Sequence, residues 1–208
     1  MLARLARWAI RRLDALLRSA RGVYEFSSDP DCLLRLALGN SGREVVLADG
    51  TRIAAGERIG ELHLWNERVP PMPQAGPDLC WAVTMRLGLV YSLQLLAAHV
   101  ENDPDWEDVR AFRGETAVDA QRGETHPFTH LGFELQPLEL VGPLKRFTDF
   151  WENLYTWWLI WTFNPASLRS KHFWGLQRRQ LWLSRATLLT RYGPNRSRPG
   201  PQGSHGGR

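Results

Sequence analysis

The chain has 208 residues, 43% of them hydrophobic, which is enough for one sizeable domain with its own core and excludes a wholly disordered protein. Two cysteines, Cys32 and Cys80, exclude a disulfide scaffold; far apart and without C-x-x-C spacing, they read as reduced core residues of a cytoplasmic protein. The net charge of +4 hides a division: six Arg and one Asp in residues 1–22, 21 acidic against 11 basic residues in 23–152, and nine basic with no acidic residue in 153–208.

Leu2, Leu5, Ile10, Leu13, Leu16 and Leu17 recur at helical spacing, with Arg4, Arg7, Arg11 and Arg18 on the remaining arc and Trp8 near its border. Residues 1–22 therefore predict a basic amphipathic helix, ended by Gly22. Arginine interrupts it too often for a secretory signal, so it is expected to stay in a mature, cytoplasmic chain. Two roles fit: a helix docked on its own acidic domain, or an interfacial helix on anionic lipid.

The period then changes to two. Residues 23–27, 32–38, 43–47, 58–66, 109–118 and 128–136 read as strands, and Ala48-Asp49-Gly50-Thr51 as a hairpin turn. After a proline-rich loop, 78–100 and 143–163 read as two long helices, the second closed by Asn164-Pro165. Ser184 is placed to cap a short last helix through Tyr192, and 193–208 reads as a disordered tail after a single domain over 23–192. The apolar run 154–163 is about half the roughly 20 residues a spanning helix needs, so no membrane crossing is expected. The fold class is α+β: a mainly antiparallel sheet of five or six strands packed by the two long helices, with the amphipathic helix in front.

Alternation assigns faces. Glu61 and His63 oppose Leu62 and Leu64, Arg113 and Glu115 oppose Phe112 and Gly114, and His130 and Glu134 oppose Leu131 and Phe133. One account is the solvent face of a half-buried sheet; the other is a cleft floor where His63 is a general base, with Glu67, Arg113, Glu115 and His130 around it. No cofactor is called for, and a metal on His63, Glu67 and His130 is weaker, because no dense ligand spacing such as H-E-x-x-H occurs. G-x-S-x-G, the P-loop and G-x-G-x-x-G are all absent. The aromatic stripe Phe147, Phe150, Trp151, Leu154, Trp158 and Trp161 reads as core, as the wall of an apolar pocket or as a membrane-dipping edge.

HLWNE at 63–67, RGET at 113–116, HLGFEL at 130–135 and WLSRATLLTRYG at 182–193 follow one another as in the YkoP-like family of bacterial domains, which the chain resembles from about 23 to 192. Some members of that family resemble the accessory part of polysaccharide deacetylase proteins of the cell envelope. The resemblance brings no catalytic residues with it, and this chain lacks the room for a deacetylase barrel and its metal motif. The leading expectation is a cytoplasmic accessory protein, peripheral to the inner face of the membrane. It would bind an anionic lipid or a lipid-linked glycan precursor through Arg4, Arg7, Trp8, Arg11, Arg178, Arg179 and Arg185, with an envelope polysaccharide enzyme as a further partner. A small hydrolase or transferase built on the His63 face is the alternative. Nucleic-acid binding ranks lower, since no reading motif accompanies the charge.

Overall fold

Residues that alternate apolar and polar side chains pair into a five-stranded sheet at the centre of the molecule, seen in a computed structural model that describes residues 2–119, 128–137, 145–170 and 176–194. Its strands are β1 (Leu34–Asn40), β4 (Arg58–Leu64), β5 (Ala111–Asp119), β7 (Leu176–Ser184) and β6 (Glu134–Pro137), in that spatial order. β2 (Val45–Val46) and β3 (Arg52–Ile53) form a separate hairpin. Its turn is the one expected at 48–51, where Gly50 takes φ 85° and the Leu47 N–H donates to the Thr51 carbonyl at 2.9 Å.

The sheet is mixed, not mainly antiparallel. β4 and β5 run parallel, because the helix α2 (Leu79–Asn102) carries the chain back across the sheet between them, as a crossover must. Three further expectations change. Residues 23–27 contribute only a bridge from Tyr24 to Leu36. The expected strand 128–136 is interrupted by a 3-10 helix over Thr129–Leu131, ended by Gly132 at φ 91°, so that only Glu134–Pro137 joins the sheet. β7, which sequence alternation did not reveal, sits between β5 and β6. Most of the expected tail (195–208), the start of the 143–163 helix and residues 120–127 lie outside the described residues.

One face of the sheet is the main core. Leu36, Leu62, Phe112 and Leu183 pack against Leu93, Leu96 and Val100 of α2 and Leu188 of α4 (Arg185–Tyr192). A Cβ on Gly88 would lie 2.6 Å from Leu33, and one turn further the Ser92 hydroxyl accepts the Leu33 N–H at 2.7 Å. The missing side chain thus lets α2 approach close enough to satisfy a buried backbone donor. Asp78 caps α2 by accepting the Trp81 N–H at 2.7 Å, and Ser184 caps α4 through the Thr187 N–H at 2.9 Å. On the opposite face, at one end only, Val45, Leu47 and Ile53 of the hairpin close over Ile59, Ala111 and Trp182 as a smaller second core.

By length and composition α2 is long and apolar enough to cross a membrane, the one such helix among the described residues. Its second half supplies the core; Leu79, Val83 and Leu87 of its first half are exposed. Cys32 is buried, but Cys80 is exposed on the first turn of α2, so the expectation that both are core residues holds for Cys32 alone.

His99, near the end of α2, is surrounded by Tyr24, Phe26 and Trp106, with its Nε2 3.2 Å from the Tyr24 hydroxyl. Burial pushes its imidazole below the ordinary value near 6.5, against the smaller upward pull of Asp103. The folded state therefore prefers neutral His99. Its stability contribution is complete above the ordinary value and is lost as pH falls through it toward the folded one. Melting temperature is expected to drop between about pH 7 and pH 5, and His99→Gln to flatten that slope in a pH-stepped thermal melt.

Candidate functional site

Cross-strand partners share a face, and the pairings Arg35 with His63, Glu61 with Arg113, and Glu115 with Gln180 put these six residues on the face opposite the main core. The helices α1 (Leu2–Ala20) and α3 (Lys145–Phe163) roof it, leaving a cavity of about 560 Å³ with Glu61, His63, Arg113 and Glu115 on the floor and Asp14, Arg18 and Tyr155 above.

The floor is a run of ion pairs. Arg113 bonds Glu61, and Arg178 of β7 bonds Glu115. His63 Nε2 lies 3.8 Å from Glu61, is buried, and makes no hydrogen bond. The His63 imidazole foremost, with the Arg113 guanidinium, holds the Glu61 carboxyl below the usual carboxylate range in spite of burial.

The roof is tied down by a second chain of charges. Arg35, nearly buried against the Trp65 ring at 4.1 Å, meets Glu67 at 3.3 Å; Glu67 meets Arg18 at 3.1 Å; and Arg18 meets Asp14 at 3.3 Å. Asp14, only 4% exposed, accepts the Tyr155 hydroxyl at 2.7 Å, and burial together with that carboxylate raises the tyrosine's pKa. Arg7 lies 4.9 Å from the Trp161 ring and Arg11 5.3 Å from that of Phe163. Thus α1 meets α3 through its polar arc. Its leucines face outward: Leu5 is 64% and Leu16 68% exposed, with Trp8 and Leu13 also exposed.

This orientation differs from one of the two roles read from the sequence, the one in which the apolar arc packs on the chain's own domain. The aromatic stripe of α3 is not core either: Phe150, Trp151 and Trp158 are exposed. Between the two helices the outer surface dips into an apolar groove of about 760 Å³ lined by Ala6, Ile10, Leu13, Trp157, Trp158 and Trp161.

Among the sequence-derived site residues, His63, Arg113 and Glu115 come together in the cavity. Glu67 stands at its edge as the bridge between sheet and roof. His130 does not join them, because it belongs to the 3-10 turn, is exposed, and contributes only its carbonyl to Arg191. Arg4, Trp8 and Arg11 are exposed on α1 and Arg7 is half-buried. Arg178 is engaged with Glu115, and Arg179 lies on β7 opposite Thr116. Arg185 directs its guanidinium to the Trp106 and Val100 carbonyls, the latter at 2.8 Å, so it closes the end of α2 instead of facing an outside anion. Glu61 is on the face that alternation assigns, though without a role in the expected site, whereas neither Asp14 nor Tyr155 is expected there from the sequence. The signal for Asp14 was its isolation as the one acid in a basic helix. No group of three or more His, Cys, Asp or Glu residues positioned for a metal occurs among the described residues.

Asp14→Ala removes the buried acceptor that holds α1 to α3. A charged hydrogen bond of this kind contributes about 1.5–3 kcal/mol, so amide exchange across α1 is expected to quicken about 10- to 100-fold. The melt of the sheet should stay nearly unchanged, since α1 contributes nothing to the main core.

Fold and site together define an α+β domain with a mixed sheet, one face given to a core and the other to a helix-roofed polar cavity. The chain belongs to the YkoP domain family, whose sequence model matches residues 4–192. No curated protein and no solved structure matches it significantly.

Proposed function

We propose that this protein is a peripheral membrane-associated accessory protein that docks on an anionic leaflet through the outer faces of α1 and α3. The observation that carries the reading is the orientation of α1, whose leucine arc points away from the domain it is attached to. Contiguous exposed apolar surface of this kind marks an interaction site, and Trp8, Trp151 and Trp158 suit a boundary that is greasy on one side and wet on the other. Arg4 and Arg12 are exposed on the same helix, and each basic residue near an anionic surface contributes about 1 kcal/mol before screening. The inner leaflet of a bacterial membrane, where lipid-linked envelope precursors are displayed, fits this surface.

Co-sedimentation with vesicles tests it. Binding is expected to mixed phosphatidylglycerol and phosphatidylcholine vesicles, to weaken with salt, and to be absent from pure phosphatidylcholine. Failure to bind the anionic vesicles at low salt would overturn the reading.

The Glu61–His63 pair in the roofed cavity favours a second reading, a small hydrolase or transferase with His63 as general base. Turnover of an ester, phosphate or acetamido-sugar panel that is lost in His63→Ala would establish it. Protein inert across the panel would leave the docking role alone.

A further inference from the structure

The polar cavity does not end at the ion pairs. A second cavity of about 410 Å³ adjoins it and shares the walls made by Arg21, Leu64, Asn66, Glu115, Tyr155 and Arg178. Beyond those shared walls the two differ in chemistry. The first is lined by Glu61, His63, Arg113 and Arg18, the second by Met72, Trp81, Met85, Ile160 and Phe163. Each has a volume typical of small-molecule sites, and the change from charged to apolar lining happens across the walls that the two share.

We propose that this two-lobed space binds a single amphiphile, with one apolar chain between α2 and α3 and a headgroup carrying one phosphate over the sheet. Charge sets the headgroup. Arg18, Arg113 and Arg178 are each matched by a carboxylate, namely Asp14, Glu61 and Glu115. Arg21 lines both lobes and has no carboxylate partner among the described residues, while His63, within the polar lobe alone, keeps its buried Nε2 3.8 Å from Glu61. One guanidinium without a carboxylate, in a polar lobe whose other arginines are matched, suits one phosphate and not a polyanion, while the paired carboxylates can accept from headgroup hydroxyls. The apolar lobe suits an acyl or isoprenoid chain, since Met72 and Met85 adapt to an unbranched or irregular chain. The residues involved lie on the inner side of the α1–α3 pair, so the inference does not depend on the outer leucine face.

Titration of the full-length protein with monomeric lysophosphatidic acid, below its micelle concentration and without vesicles, is the test. Saturable one-to-one binding, read from Trp fluorescence and calorimetry, is expected. Inorganic phosphate and the uncharged monoacylglycerol of the same chain should each bind at least tenfold more weakly. Arg21→Glu in the polar lobe and Ile160→Trp in the apolar lobe should each weaken binding at least tenfold, with thermal melts showing that both variants fold. Leu16→Glu on the outer face should leave it unchanged. No saturable binding, or binding lost in Leu16→Glu but indifferent to Arg21→Glu and Ile160→Trp, would overturn the proposal. Vesicle binding without monomer binding sinks this inference alone; monomer binding without vesicle binding removes the docking role and leaves the cavity assigned.

Discussion

Exchanging both Leu13 and Leu16 for glutamate is expected to abolish adsorption to anionic vesicles. Burying a leucine in an apolar environment contributes about 1.5–3 kcal/mol, and two such losses alone amount to about 100-fold or more in affinity. The introduced carboxylates add repulsion from the same lipid headgroups. Both side chains already face water, Leu13 at 41% and Leu16 at 68% exposure, so the melting temperature should scarcely move. Co-sedimentation and a thermal melt of the same preparation separate the two effects. A double variant that still binds anionic vesicles as the parent does would show that α1 is not the docking element.

The largest effect on stability is expected at the contact between β4 and β5. Phe112 is fully buried and stacks on Trp106 at 6.2 Å between ring centroids, so Phe112→Ala should cost about 3–5 kcal/mol, a large part of a domain's usual stability. The reason Phe112 fits is Gly60, its partner in the parallel pairing: a Cβ there would lie 2.3 Å from the Phe112 ring. Gly60→Ala alone is therefore expected to destabilise by about 1–3 kcal/mol through overpacking. In the Phe112→Ala background the same change enters vacated space, and its cost should shrink or reverse. Chemical denaturation of the two single variants and the double variant closes the cycle; simple additivity would contradict this packing.

Much of the site floor was legible in the sequence. Alternation in 58–64 and 111–116 put Glu61, His63, Arg113 and Glu115 on one side and Leu62, Leu64 and Phe112 on the other, because side-chain direction in a strand is set by the backbone pleat within two residues. His130 was misplaced by the same rule, since Gly132 with its positive φ ends a 3-10 turn just where alternation suggested a continuous strand. The third cation of the floor, Arg178, was read as part of a basic surface. Its strand alternates weakly, LQRRQLWLS, and its place beside β5 follows from pairing across some 60 residues of chain.

The sequence by itself determined the amphipathic character of α1, the hairpin turn at 48–51 and the cap at Ser184. Each depends on residues within a turn or two of one another. Tertiary structure alone decided which arc of α1 meets the domain. A periodic pattern specifies that a helix has two unlike faces, but the face that docks is chosen by what the partner offers. Here α3 offers Tyr155 to Asp14 and aromatic rings to Arg7 and Arg11, and Glu67 at the end of β4 reaches Arg18. Those distant groups turn the polar arc inward, roof the His63 face, and leave the leucines outside.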